Sequence, residues 1–546
     1  MADTNNKRSL ATSAMLIKTC ILKNRTFFAV TASVMVSACA VGPDYERPEL
    51  EIEEKWSETD AAELIEELPA APASWWQVFN DPLLDELVNE AYRENLDIEV
   101  AGLRIIEARA ALGIALGNRF PQEQSLRGGV VTTGVSENSP NFFAFAENRY
   151  LNADLGFDVG WELDFWGRYR RGVEASQADL ALSLAGYDAS LVTITAETAR
   201  AYLVIRSLQQ LMSVTKENVA LQRRSYEIAD VLARNERVTE LDVEQAITLL
   251  ESTNAQVPLI ESRLVQAKNA LSFLLGDPPG QLDARLGEGP IPDPPVQIAV
   301  GVPAELLRRR PDVMAAELRA AGQSARVGIA ESDRYPRFGL TGSLGLRASD
   351  TGDSELSDFF SSDSVEFVAG PVFSWPILNY GRIKNSVRVQ DARLQQSLVA
   401  YQSSVLNAAR EVEDAIAAHL RQREALEFYR RSAAAAARSV DLALLQYRES
   451  IVDYQRVLDT QRELNGQQQQ YVQSKGEVAT SLVVLYKALG GGWEIRAGNP
   501  IIDQDTADQM IQRTNWGNML DPEQVVPDEV SLPAPASDQP LFGTPD

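Results

Sequence analysis

Cysteine and histidine are almost missing from these 546 residues: Cys20, Cys39 and His419 are the whole supply. Cys20 falls in a segment expected to be removed, so the mature chain keeps one cysteine and has no intramolecular disulfide. A single histidine inside a helical stretch, with no Cys/His cluster, no phosphate-cradling glycine loop and no nucleophile elbow, leaves nothing for metal or nucleophilic chemistry. No catalytic residue, no metal ligand and no cofactor are expected, and the chain is not read as an enzyme. Positive charge is also short: 51 Lys and Arg stand against 77 Asp and Glu, a formal charge of −26. That disfavours nucleic acid and anionic membrane surfaces as partners. Beyond the N-terminal region no run of 18 apolar residues occurs, so no transmembrane helix is expected.

What is present is an alternation. Over 151–165 the odd positions are Leu151, Ala153, Leu155, Phe157, Val159, Trp161, Leu163 and Phe165, and the even positions are polar, acidic or glycine. A period of two over such a length is a strand with one apolar and one wet face. It exceeds the usual ~5–6 residues of a soluble strand and suits either a tilted membrane strand of roughly 9–11 or an unusually long strand half-buried in a soluble sheet. Glu162 and Asp164, two apart beside Trp161 and Trp166, form a pairing that glycosidases use, but the alternation reads both as lumen-facing strand residues.

The N-terminus looks like an address. Lys18, Lys23 and Arg25 precede an apolar run at 27–36, then Ser37-Ala38-Cys39. Small residues before a cysteine after such a run resemble the lipobox of bacterial lipoproteins, which implies a lipoprotein signal peptide over 1–38 cleaved before Cys39; an ordinary secretory signal with an incidental cysteine is the alternative reading, and Met15 an alternative initiator. Residues 39–80 form a lipidated tether rich in Pro and Glu. Residues 493–546 are acidic, scattered with proline, and read as a disordered tail.

Between tether and tail the chain repeats itself. Leu96-Asp97-Ile98 returns as Pro311-Asp312-Val313 and Pro121 as Pro336, an offset of 215 residues; Gly167-Arg168 returns as Gly381-Arg382 and Leu275-Gly276 as Leu489-Gly490, an offset of 214. The units are 81–276 and 311–492, joined by a Pro-rich linker at 277–310 that cannot sustain helix or central strand. Each reads helix, strand, strand, very long helix, long helix. The strands are expected at 125–135, 151–165, 338–346 and 365–375. The helices are expected at 168–235 and 382–448, followed by partners at 239–275 and 453–489, the first partner broken at Pro258. Four strands cannot close a membrane barrel, and open edges in lipid are costly, so the strands, if they lie in a membrane, require several copies of the chain.

Ser37-Ala38-Cys39, Gly42-Pro43-Asp44-Tyr45 with Pro48, Trp75-Trp76, Phe79, Asp81-Pro82-Leu83-Leu84, Leu306-Leu307-Arg308-Arg309-Arg310-Pro311-Asp312 and Val457-Leu458-Asp459 with Gln461-Arg462 together resemble the outer-membrane efflux factors. These are the TolC-like family, in particular its OprM-like, NodT-type lipoprotein branch. The resemblance implies an α+β membrane protein: a trimeric 12-stranded transmembrane β-barrel, four strands per chain, continued by a long periplasmic α-helical barrel. It implies a lipid-anchored outer-membrane location, with N-acyl and S-diacylglycerol lipid on Cys39. The implied function is a passive conduit for small-molecule export in a tripartite efflux system. Its partners would be a homotrimer of itself, outer-membrane lipid, a periplasmic adaptor (membrane fusion protein) and an inner-membrane pump of the resistance-nodulation-division (RND) class. It implies a periplasmic gate at Asp459, with Gln455 one turn earlier and Arg456 and Asp453 available for inter-helix salt bridges. Adaptor contact falls at the helix turns, Glu236-Arg237 and Ser450-Ile451, where Glu236 and Ser450 replace the family's glycines and a one-residue shift of the turn is open. The alternatives are a lipid-anchored periplasmic coiled-coil scaffold and the outer-membrane factor of a type I secretion system.

Overall fold

The computed structural model describes residues 40–48, 56–57, 65–67, 73–138, 149–295, 298–300, 307–351, 355–521 and 531–533. The expected signal peptide and Cys39 lie outside the described residues.

In chain order the elements are β1 (Ile65–Glu67), α1 (Pro82–Glu94), α2 (Leu96–Gly117), β2 (Glu123–Gly134), β3 (Arg149–Leu163), α3 (Arg168–Arg234), α4 (Glu240–Asn254), α5 (Gln256–Leu274), α6 (Asp283–Leu286), β4 (Ile298–Val300), α7 (Pro311–Ser332), β5 (Arg337–Ser349), β6 (Val365–Ser374), α8 (Arg382–Arg448), α9 (Tyr454–Ala488) and α10 (Gln504–Arg513). The local signals behave as their chemistry dictates. Asp81 caps α1, accepting from the Leu83 N–H, and Pro82 stands where a missing N–H costs nothing. Asn95 ends α1 and caps α2, accepting from the Asp97 and Ile98 N–H groups while donating to Leu274 O. The first long partner helix breaks at Ala255: Pro258 has no N–H for the Asn254 carbonyl, so α4 ends and α5 begins. The matched helix α9 has no proline and runs unbroken for 35 residues.

β2, β3, β5 and β6 form one antiparallel sheet in that order, leaving β2 and β6 as edges within the chain. The register puts Phe157 opposite Leu126 on one side and Leu344 on the other, and Leu344 opposite Phe367. One face is therefore apolar from edge to edge, and it is exposed: Leu126, Leu344, Phe367 and Phe373 all show more than half their surface. The other face carries the ion pairs Arg127–Asp158 at 3.1 Å and Arg347–Glu366 at 3.2 Å. Water-filled inside and lipid outside is the environment this distribution fits. Asp164 is a correction to the lumen reading. It lies beyond β3 and accepts from the Tyr169 and Arg170 N–H groups and from the buried Arg170 guanidinium, so it starts α3 rather than lining a channel.

α3 and α8 each hold 67 residues, about 100 Å of helix. Their apolar contacts form two separate clusters. The larger gathers Trp75, Trp76, Tyr187, Tyr202, Ile416 and Tyr486, and the smaller, at the far end from the sheet, gathers Ala229, Leu249, Val440, Tyr447, Tyr454 and Val457.

The tail differs from the sequence expectation. Trp493–Arg496 forms a 3₁₀ turn, α10 follows, and Met510 and Leu520 pack on Ile106 of α2. Arg496, itself buried, donates to the buried carboxylate of Asp188 on α3 at 2.6 Å. The residues from 493 to 521 are thus folded onto the first repeat. The composition of the segment concealed this, because a few apolar anchors, Met510 and Leu520 on Ile106, suffice to dock an otherwise acidic stretch.

Candidate channel gate and tip

The end of the molecule away from the sheet is built by two helical hairpins, one per repeat. Each long helix stops in the same way. Glu236 and Arg237 donate to Ala233 O and Leu232 O at 2.8 and 2.9 Å; Ser450 and Ile451 donate to Tyr447 O and Gln446 O, both at 2.9 Å. This pair of bonds is a Schellman stop, and it needs a left-handed residue. Glu236 (φ 54°) and Ser450 (φ 58°) supply it without being glycine. The turn has not shifted by a residue. The substitution of glycine leaves the backbone path intact and places a carboxylate and a hydroxyl at the two turns. Glu236, Arg237, Ser450 and Ile451 are all exposed.

Past the second turn, Asp453 caps α9, its carboxylate accepting from the Arg456 N–H at 3.3 Å. Asp453 is thereby occupied in starting its own helix, and among the described residues it makes no inter-helix salt bridge. On α9, Tyr454, Val457, Leu458 and Leu464 face the smaller apolar cluster. Gln455, Arg456 and Asp459 fall on the opposite, exposed side. Gln455 donates from Nε2 to Asp459 Oδ1 at 2.9 Å, one helical turn apart. Beneath this face Tyr447 and Tyr454 meet edge-to-face at 5.2 Å. Burial, with Asp242 adding, pushes the Tyr447 hydroxyl up to about 12. Burial also raises the Asp242 carboxyl, and the nearby Asp453 charge adds to it. The starts of α4 and α9 thus meet in a carboxylate-rich corner.

Between the two apolar clusters lies a layer that sequence reading missed. Asn218 donates to Gln468 Oε1 at 2.8 Å, and Gln461 donates to Ser225 Oγ at 2.5 Å. Gln469 donates to Gln256 Oε1 at 2.8 Å. Gln222 is buried with neither side-chain polar atom hydrogen-bonded. Each amide alone reads as an exposed helix residue; the packing of α3 and α5 against α9 buries Asn218, Gln222 and Gln461 and half-buries the rest.

At the sheet end the tether takes a defined path. Val41 donates to Trp166 O at 3.0 Å, and Arg171 reaches Gly42 O and pairs with Asp44 at 2.8 Å. Gly42, at φ 94°, crosses Gly328 so closely that a Cβ would sit 2.4 Å from the Gly328 Cα. Ala40 lies against Gly167, where β3 passes into α3.

With this geometry in place, comparison with known proteins becomes informative. The pattern of the outer membrane efflux protein family matches residues 87–277 and 302–491. The chain belongs to the outer membrane efflux protein family. It is 29% identical over 487 residues to the probable efflux pump outer membrane protein SepC of Pseudomonas putida, covering 88% of this chain and 99% of that one. It is 27% identical to the probable outer membrane lipoprotein SilC of Salmonella typhimurium, covering 85% and 97%. Among solved structures, the outer-membrane channel OprN superposes with a TM-score of 0.78 at 31% identity, covering 83% of this chain and all of the other. This efflux protein is therefore an outer-membrane component of an efflux system, sited in the outer membrane and reaching into the periplasm. Its fold class is that of the trimeric outer-membrane channels, a four-stranded share of the barrel continued by the long helices.

Proposed function

We propose that three copies of this chain form a passive conduit for small molecules, closed at the periplasmic tip by Asp459 and Gln455. The observation that carries the gate is the facing of α9: one side of the helix is locked into the tip core, and the other presents Gln455 and Asp459 to water, joined to each other. Three such carboxylates around an axis favour cations and narrow the passage electrostatically. Arg456 lies beside them on the exposed side, and Asp453 caps the start of the helix that carries them. The turns at Glu236-Arg237 and Ser450-Ile451 are the exposed ends of the hairpins, and there a periplasmic adaptor, linked to an inner-membrane pump of the RND class, would seat.

The path of the tether supports lipidation at Cys39. Ala40 stands at the junction of β3 and α3, the strand end of the helical body, where a lipid anchor just before it would lie close to the membrane. SilC, similar along most of its length, is named as a lipoprotein.

Single-channel recording in planar bilayers tests the conduit and its gate together. Wild type is expected to give small, cation-selective currents, and Asp459→Ala larger ones with weaker selectivity. Unchanged currents would move the gate elsewhere. Folded, trimeric protein without channel activity would favour a scaffold.

A further inference from the structure

In each repeat a partner helix ends where a short helix starts, and one side chain bridges the joint. In the first repeat Asn95, at the start of α2, donates to Leu274 O at the end of α5 at 2.8 Å. In the second repeat Arg310 stands at the matched place before α7 and donates to Ala488 O at the end of α9 at 2.6 Å. The arginine is longer and brings partners of its own, Asp312 at 2.8 Å and Glu411 of α8 at 2.7 Å. Around it α3 and α8 present small side chains, Ala189 and Ala418 among them. The second joint therefore stays open. It leaves a recess of about 580 Å³ whose apolar part is formed by Val192, Ala415 and Val484.

The side on which the recess opens follows from α9. Exposed positions step along this helix by four and three residues, at Asp459, Glu463, Gly466, Gln470, Gln473 and Glu477, and the same stripe reaches Val484 in the recess. That spacing keeps one face of a long supercoiled helix turned the same way. Two residues beyond Val484, on the other side of the helix, Tyr486 is buried and stacks on Trp75 at 5.4 Å. The recess thus shares the bare face that carries Asp459 at the tip, and lies towards the opposite end of the stripe.

We propose that this recess binds organic cations with an apolar body, one per copy, in the wall of the conduit. The proposal rests on the three-copy conduit with Asp459 turned to its axis, and adds a place where cargo lodges and the class of cargo it fits. The volume falls within the roughly 300–1,000 Å³ of small-molecule sites. The charge is decided by which groups are already engaged. Arg310 is buried, and its guanidinium donates from Nε and Nη2 to Asp312, from Nη2 to Glu411 and from Nη1 to Ala488 O. Lys487, the other cation of the lining, is drawn to Glu197 at 3.2 Å. An entering anion would meet donors that are largely occupied. The carboxylates of Asp312, Glu411 and Asp414 also line the recess, and about half of the Asp312 side chain and two thirds of that of Asp414 are exposed. Each ionised carboxylate has about four acceptor positions, more than its present partners fill. A hydrated metal ion would gain nothing from the apolar part of the lining, whereas an organic cation buries its body there.

Tetraphenylphosphonium and tetraphenylborate test this directly, because the two ions share size and apolar surface and differ in the sign of charge. Equilibrium dialysis of the full-length trimer in detergent, corrected with protein-free micelles, is expected to show tetraphenylphosphonium bound at one per chain. Tetraphenylborate is expected to stay at the micelle level. Val484→Trp fills the recess from its exposed face and should abolish the binding. Asp414→Asn should weaken it roughly fivefold, the weight of one charge at ~4 Å in water. Both residues are exposed, so sizing should find both variants trimeric. Cation binding that survives Val484→Trp, equal binding of the borate, or no binding above the micelle level would each overturn the recess. Dialysis is blind to conductance, so any of those results leaves the conduit standing. Trimers that bind the cation at Val484 but pass no current in bilayers would remove the conduit and keep the recess.

Discussion

Glu236 and Ser450 hold a backbone conformation that costs a side-chain-bearing residue about 1–2 kcal/mol, and both sit at turns that the bonding pattern requires to be left-handed. Glycine removes that cost while adding back about 0.5–1 kcal/mol of chain entropy. Glu236→Gly and Ser450→Gly should therefore each stabilise the tip by about 0.5–1 kcal/mol, read as a raised midpoint in denaturant. A fall in stability would mean that these side chains hold the turn by contacts of their own. His419 gives a second residue-scale expectation. It is fully buried on α8, with Nδ1 against Ser481 Oγ at 2.8 Å, and burial, with Arg423 adding, holds its imidazole down at about 4. Because the folded value lies below the ordinary 6.5, the unfolded chain takes up the proton first. Its contribution is fully present above pH 6.5 and lost as pH falls towards 4, about 3 kcal/mol in all. The matched position in the first repeat is the buried Ile205. His419→Ile should flatten stability between pH 6.5 and 4; an unchanged slope would assign the acid sensitivity to other groups.

At the scale of elements, the long helices are held by two apolar clusters with an amide layer between them. The hydrogen-bonded amides help fix α3 against α9, and the layer is least secured where a buried amide has no partner. Gln222 is the weakest member, since a buried polar group without a partner costs about 1–3 kcal/mol. Gln222→Met keeps the length and removes the polarity. It should raise the thermal midpoint and, by stiffening the junction, shorten channel openings in bilayer recordings. A lowered midpoint would mean that ordered water satisfies the glutamine. The layer was illegible in sequence because glutamine on a helix face ordinarily meets solvent, and the α3–α9 pairing joins residues over two hundred positions apart.

For the whole molecule, the folded part of the tail fastens the chain beyond α9 to α2 and α3 of the first repeat. Arg496 enters from beyond α9 to meet Asp188 of α3, whose carboxyl burial pushes up to about 6 against the pull of that arginine. Removing one partner of a buried pair costs about 3–5 kcal/mol. Ending the chain after Gly492 should abolish stable trimers, whereas ending it after Asp521 should preserve them and their conductance. Equal behaviour of the two truncations, scored by heat-modifiable trimer on gels, would show that the docked segment carries no structural weight.

Periodicity decided most of the architecture in advance. Alternation at 151–165, the proline-free length of 382–448 and the 214-residue repeat are properties of neighbouring or regularly spaced residues, so β3, α8 and the duplicated frame could be read from the chain alone. Even the repeat of backbone specials is implicit there: Gly167 and Gly381, like Glu236 and Ser450, stand 214 apart and share their left-handed φ. The tertiary structure decided what becomes of polar side chains. Asp164 starts a helix instead of lining a channel, Asp453 is a cap, Gln222 is buried, and an acidic tail packs Met510 and Leu520 on Ile106 of α2. A polar group's role depends on which donor or apolar surface meets it, and those partners come from elements far apart in the chain.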